Sequence, residues 1–385
     1  KKNRVGNAKA HIYDIENFNF TYGYDEVFHR DINIEYDVTK THKGALGYNF
    51  NTTPKYFTPL AKASGMKSKY LKLIKDVNIN LIPTSLNFRM DVQRLYGEKL
   101  YRNNTGYSDI VRDTFFNKNF DMRRVYDLKY DLTKSIKIDF NANNYGIIDE
   151  PEGKIDNQEE RDSIKSNIFG KNYFLGRNKQ YTHAGNVSYQ VPLNKFPLTD
   201  WISVNVKYGF NYNWQAGQFL QDSATGAFGI DPRTGNTIQN SNTKQVNGNF
   251  TLTTLYNKIP FLKRINSPKP AKQPRVKNAP KPDAPKNPSD TTGGKKPVVP
   301  KVKQPNAIPD GVRFVGKMLM GVKTIGFTYS ETNGTVLPGY MNYSQAFGQD
   351  LDNNSPGLGF AFGSQKDVRE KAVRDNWLTT DTSLN

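Results

Sequence analysis

Asp149, Glu150 and Glu152 place three carboxylates in one short run, DEPEG, that ends at Gly153. Carboxyls this close can divide general acid from general base work, but only where burial pulls their pKa values apart. The surrounding loop is polar, so the expectation is a solvated turn shaped by Pro151 and Gly153. GLGFAFG at Gly357 to Gly363 has the glycine content of a phosphate cradle. Its third glycine arrives one position late for G-x-G-x-x-G and it follows a loop, which favours a close-packed turn. DLDNN at Asp350 to Asn354 opens like a Ca²⁺ loop, yet Ser355 stands where glycine is required and no Glu closes the motif. His11, His29, His42 and His183 lack the helical i, i+4 spacing of a metal site and read as surface or strand residues. The chain has no cysteine, which excludes thiolate nucleophiles, cysteine zinc sites and disulfides. The expectation is a protein that is not an enzyme, with no catalytic, cofactor-binding or metal-ligating residue.

What such a chain offers instead is surface, and strands set that surface. Trp201 to Trp214, WISVNVKYGFNYNW, alternates Ile202, Val204, Val206, Tyr208, Phe210, Tyr212 and Trp214 with Ser203, Asn205, Lys207, Gly209, Asn211 and Asn213. Period two means a β-strand with one apolar and one wet face. At roughly 3.3 Å per residue and a tilt near 40° the row rises about 30 Å, the height of an outer-membrane barrel's apolar band with its aromatic girdles. Trp201 and the seven apolar residues are expected to face lipid or girdle. Asn205, Lys207, Asn211 and Asn213 are expected to line a lumen.

Other segments repeat the pattern. Phe18, Phe20, Tyr22 and Tyr24 alternate with polar residues, Leu46, Tyr48 and Phe50 return, and the residues between read as an outward extension of both strands. Lys55 to Asp76, with Pro59 and KYLKLIKD, reads as a connector holding about two helical turns. Leu86, Phe88, Met90 and Val92 alternate with Asn87, Arg89, Asp91 and Gln93, ahead of a polar loop from Gly97 to Lys118. Tyr126 to Leu132 and Ile136 to Phe140 form a hairpin through DLTKS, with Lys129, Lys137 and Asp139 on its far face. Charges on one face of adjacent strands call for water, which adds Arg89, Asp91, Lys129, Lys137 and Asp139 to the lumen-lining set. A charged loop, Ile148 to Arg177, precedes the strand Tyr181 to Val191 and the turn PLNKFP. Gln215 to Gln245 reads as loop, Phe250 to Tyr256 as strand, and Phe314 to Ser330 as a last strand whose phase slip is assigned to a β-bulge.

About nine strands, with short turns alternating with long loops and no propeller-length repeat, is barrel topology. Nine strands do not close a bacterial barrel of even strand number. The expected fold is therefore all-β, an antiparallel transmembrane β-barrel segment with long outer loops, completed by strands from elsewhere. Residues 1–265 would supply strands and loops, 266–310 a disordered periplasmic insertion, 311–330 a further strand and 331–385 an outer loop or cap.

Composition permits this reading. Hydrophobic content is 36% and mean hydropathy −0.73, low values that a barrel tolerates because only alternate residues meet lipid. No apolar run approaches the about 18 residues of a membrane helix. The start, KKNRVGNAKA, lacks the apolar core of a signal peptide, which points to a mature chain or a fragment, and a fragment is expected. A net charge of +18 would suggest nucleic acid, but Lys258 to Asp310 holds 13 Lys and Arg against 3 Asp. The charge is concentrated in one Lys/Pro-rich, aromatic-free stretch, so no nucleic-acid partner is expected, and the stretch reads as a solvated insertion or an electrostatic tether.

DLTKSIKIDFNANNYGIIDEPEGKID at Asp131 to Asp156, FTYSETNGTVLPGY at Phe327 to Tyr340 and PGLGFAFGSQKDVREKA at Pro356 to Ala372 closely resemble the SprA (Sov) family of gliding-motility proteins. The resemblance extends over most of the chain. It implies the outer-membrane translocon of the type IX secretion system, a giant barrel that passes folded proteins to the cell surface. It further implies a PorV-type outer-membrane partner, a periplasmic plug protein, secreted cargo, the bilayer itself, and a place for Asn333 to Lys366 at or over the outer mouth. The Lys/Pro-rich stretch matches no family feature. Two other classes compete: a small-solute or plugged receptor-type barrel, and a surface adhesin with a β-sandwich core.

Overall fold

The computed structural model describes residues 11–60, 75–107, 111–170, 175–221, 228–266 and 308–379. It is mostly β and built around one nine-stranded antiparallel sheet whose strands lie side by side in chain order. These are β1 (Phe18–His29), β2 (Ile34–Asn51), β3 (Ser85–Tyr101), β4 (Phe115–Tyr130), β5 (Ile136–Ile147), β6 (Arg177–Val191), β7 (Ile202–Gln215), β8 (Asn236–Thr251) and β9 (Thr324–Tyr340). Among the described residues β1 and β9 are the edges, and each pairs on one side only. Residues 52–84, 131–135, 192–201 and 252–323 connect strands at one end, here the base. Residues 30–33, 102–114, 148–176 and 216–235 connect them at the other, and 341–379 follow β9 from that upper end.

The strands follow the alternation of the sequence, and the register carries each polar and apolar row across the sheet. Val206 pairs with Tyr189 on β6 and with Val246 on β8. Asn205 pairs with Gln190 and Asn247. DLTKS is the β4–β5 turn, closed by Thr133, whose Oγ1 accepts from the backbone N–H of Ser135 and Ile136.

Several expectations change, among them the polar loop Gly97 to Lys118, whose ends belong to β3 and β4, and the cap from 331, whose first ten residues are the end of β9. The loop Ile148 to Arg177 contains helix α1 (Gln158–Phe169), started by a capping box in which Asn157 and Glu160 each accept from the other's backbone N–H. Residues 236–245 belong to β8 instead of a loop. The segment 252–258 is helix α2 (Leu252–Lys258), followed by α3 (Pro260–Asn266). Phe314 to Met320 is not strand: α4 (Asp310–Leu319) precedes β9, and the phase slip is a helix-to-strand junction. Most of KYLKLIKD and nearly all of the Lys/Pro-rich stretch lie outside the described residues.

Beyond β9 the chain turns back over the sheet. Short helices α5 (Leu358–Ala361) and α6 (Arg369–Arg374) lay Phe360, Ala361, Ala372 and Trp377 against Tyr181, Tyr212, Trp214, Ile238, Leu337 and Tyr340. This buried cluster is the core of the chain. Burying a large apolar side chain is worth roughly 1.5–3 kcal/mol, which holds the segment 341–379 down.

Candidate functional site: a polar sheet face opposite an apolar band

The register gathers all nine residues expected to line a lumen on one face of the sheet. Lys129 pairs with Asp139 and with Ser85, two steps from Asn87 and four from Arg89. Asp139 pairs with Asn186, and Asn186 with Gly209. Lys137 pairs with Ser188, which pairs with Lys207. Asn211 and Asn213 face Ala184 and Thr182 on β6, and Ser241 and Gln239 on β8. Asp91 completes the set beside Arg89, whose Nε and Nη2 donate to its carboxylate at 2.7–3.0 Å.

Charges of both signs alternate over this face: Lys43, Asp121, Arg123 and Asp127 join those expected from sequence. Shallow hollows open on it, one lined by Thr21, Lys43, Arg89, Asp91, Asp121 and Arg123. Another is lined by Asn186, Lys207, Asn211, Thr243 and Gln245. Such a face is hydrophilic along its charged and amide rows.

The opposite face divides across its height. Near the base each strand presents apolar residues: Phe18, Phe20 and Tyr22 on β1; Leu46, Tyr48 and Phe50 on β2; Leu86, Phe88 and Met90 on β3; Tyr126, Leu128 and Tyr130 on β4. Ile136, Ile138 and Phe140 continue on β5, Val187, Tyr189 and Val191 on β6, Ile202, Val204 and Val206 on β7. Val246 and Phe250 on β8 and Ile325, Phe327 and Tyr329 on β9 complete the band. Much of it is uncovered: Phe20 is 73% exposed, and Tyr126, Tyr189, Val206 and Phe327 are all exposed.

Above the band the same face gains polar residues on every strand except β7, although Met122, Tyr181, Ile238 and Leu337 also stand on it. Glu26, His42, Arg94, Arg124, Asn144, His183, Asn242 and Glu331 occupy it. β7 instead carries Phe210, Tyr212 and Trp214, at most 6% exposed. The expectation that these three meet lipid or girdle is corrected, because the chain's own segment 341–379 covers them. Tyr212 Oη donates to Gly348 O at 3.0 Å, and Trp214 Nε1 to Asn342 O at 3.2 Å. Trp201, Ile202, Val204, Val206 and Tyr208 remain exposed or half-buried, although Tyr208 Oη also reaches Phe362 O, at 2.8 Å.

The candidate chemical motifs resolve into packing. Asp149 accepts from Arg177 Nε and Nη2 at 2.8 and 2.7 Å, and Glu150, its side chain nearly buried, pairs with Arg94. Asp149 and Glu150 thus serve ion pairs that tie the loop to the strands, while Glu152 is exposed, so the turn is less solvated than expected at its first two carboxylates. GLGFAFG is a close-packed turn: Gly357 and Gly363 have φ of +93° and +85°, and Gly363 lies against Asn242 and Phe210. Asp350 Oδ1 accepts from the backbone N–H of Asp352 and Asn353, closing the DLDNN turn on itself. Among the described residues no group of three His, Asp or Glu side chains stands together as metal ligands do.

Sequence reasoning missed Asn240 and Asn242, and took His183 for a surface or strand residue without its burial on β6. Asn240 Nδ2 donates to Phe360 O and Ser364 O, and Asn242 Nδ2 to Gly363 O. These amides match bare backbone carbonyls of the covering segment where apolar side chains would leave them unpaired. The signal was their common parity with Ile238 and Phe250, hidden by a composition that resembles loop.

No protein-family model matches the chain, and no curated protein is similar to it at a significant level.

Proposed function

We propose that this chain forms part of the wall of an outer-membrane β-barrel, with the apolar band in lipid and the polar face toward a water-filled lumen that conducts proteins. The observation that carries the reading is an apolar band that crosses all nine strands and, Tyr48 and Phe50 on β2 apart, is exposed or half-buried, backed by a charged and amide-rich face. A soluble sandwich would bury such a band under a second sheet, and no sheet of that extent occurs among the described residues. Large exposed apolar surface with a polar rim needs a membrane or a partner.

The obliqueness of the band supports the barrel. Followed by pairing from Phe20, the row perpendicular to the strands passes through Leu46, Met90, Arg124, Asn144, Tyr181, Trp214, Ile238 and Leu337. Phe20 is the middle of its apolar trio, whereas Leu337 lies ten residues beyond Phe327, the middle of the trio on β9. Ten residues over eight strand steps, at about 3.3 Å per residue and about 4.8 Å per strand, is a tilt of about 40°. That is the tilt of strands in membrane barrels, and it is expected when a level bilayer meets staggered strands.

Two unpaired edges mean that further strands complete the wall, so the pore is wider than nine strands alone would make. Protein transport by the type IX route, with a PorV-type partner and a periplasmic plug, is supported by the three sequence blocks that resemble the SprA family. A photo-crosslinker at Lys207 in the full chain tests it in cells. Trapped secreted proteins are the expected result; solute flux without any protein adduct would favour a small-solute channel.

A further inference from the structure

We infer that α4, with the adjoining α3, is an interfacial membrane anchor at the base of the sheet, its apolar stripe sunk into an anionic lipid leaflet. At 100° per residue, Val312, Phe314, Val315, Met318 and Leu319 fall on one side of α4, with Arg313 and Lys317 opposite. Phe314, Met318 and Leu319 are 72–75% exposed. The helix is nonetheless fixed in place from behind: Gly316 packs against Ile265 of α3, and Met320 is buried. Phe261 and Val322 add exposed apolar surface beside it.

Two observations select lipid as the occupant. The first is height. With Phe210 to Trp214 covered, the band on β7 runs only from Ile202 to Tyr208, about 15 Å at the derived tilt, against about 25 Å for an outer-membrane barrel. Apolar surface at the base makes up the difference, and α4 leads directly into β9, where Ile325 and Phe327 are also exposed. The second is charge. Residues 252–266 and 310–323 carry Lys258, Lys263, Arg264, Arg313, Lys317 and Lys323 against the single acid Asp310. A wide apolar stripe with a basic opposite side is the pattern of helices that lie about 5–10 Å into the headgroup boundary of anionic membranes.

The inference rests on the membrane reading above, and the test separates the two. The chain has no cysteine, so Phe314→Cys, Met318→Cys, Lys317→Cys and Val206→Cys each take a single fluorescent label. The full chain is reconstituted into vesicles of phosphatidylethanolamine and phosphatidylglycerol. Labels at 314 and 318 should lose quenching by aqueous iodide and gain it from shallow doxyl lipids, while the label at 317 stays open to iodide. If 314 and 318 are quenched by iodide as strongly as 317 while 206 is quenched by lipid, the anchor is overturned and the barrel stands. Shielding of 314 and 318 from both quenchers would mark a protein partner and also overturn it. Iodide quenching at 206 would overturn the membrane reading and the anchor together.

Discussion

His183 Nε2 lies 2.8 Å from the carbonyl oxygen of Ala361, joining β6 to the segment that covers it across 178 positions of sequence. A carbonyl only accepts, so Nε2 carries the proton and Nδ1 faces the Tyr181 hydroxyl at 3.2 Å. The ring also stacks on Tyr212 and contacts Phe140 and Phe362. His183→Phe keeps the aromatic packing but strands the Ala361 carbonyl and the Tyr181 hydroxyl in a buried site. Each unpaired group costs about 1–3 kcal/mol. Faster amide hydrogen exchange over residues 341–379, with strands β2 to β4 unchanged, is the expected outcome.

Gly348 bears on the same cover. Its φ is +74°, and a Cβ there would overlap the Tyr212 ring. Gly348→Ala therefore meets both backbone strain, worth of order 1–3 kcal/mol, and a clash in the core. Pairing it with Tyr212→Leu removes the clash and leaves the strain. Measured against Tyr212→Leu alone, Gly348→Ala should cost less melting temperature than it does in the unaltered chain, and an equal cost would place the whole effect in the backbone.

The strands and their faces were legible because alternation is a local signal: Val206 and Asn205 declare opposite faces without knowing their neighbours. What covers a face is a long-range fact. Phe210, Tyr212 and Trp214 read like the rest of their row, and only residues more than a hundred positions away, among them Phe360 and Trp377, decide that protein covers them. β8 was half-hidden for a related reason, since Asn240 and Asn242 occupy apolar-parity positions in order to meet carbonyls of that same distant segment. α4 escaped because VRFVGKML satisfies strand and helix periodicity alike over so short a run.

Asp367 should mark the acid limit of the turn that leads into α6. Its carboxylate accepts from Arg369 Nε at 3.0 Å and Nη2 at 2.7 Å, and from the Arg369 backbone N–H at 3.0 Å. These bonds, the guanidinium first, hold its pKa down to about 2. A depressed carboxylate stabilises the fold above its unfolded pKa of about 3.9, and that contribution is lost as pH falls toward about 2. Carboxyl NMR titration should give a midpoint near about 2 for Asp367, and Arg369→Ala should raise it toward the ordinary carboxylate range. An unmoved midpoint would dismiss the pair.

Neighbouring residues on β7 give the sharpest test of which face meets lipid. Val206 stands in the apolar band beside Tyr189 and Val246, and Asn205 stands on the polar face between Gln190 and Asn247. If the band lies in the bilayer, Val206→Lys places a charge near its middle and costs about 2–4 kcal/mol. Asn205→Lys adds a charge to a face that already carries Lys207 and Lys137, where water solvates it, and should be nearly silent. The checks are the yield of detergent-extractable, folded protein from membranes and its midpoint in denaturant. Equal tolerance of both substitutions would show that neither side of β7 meets hydrocarbon at this height, and the sheet would then need a protein layer over its apolar band.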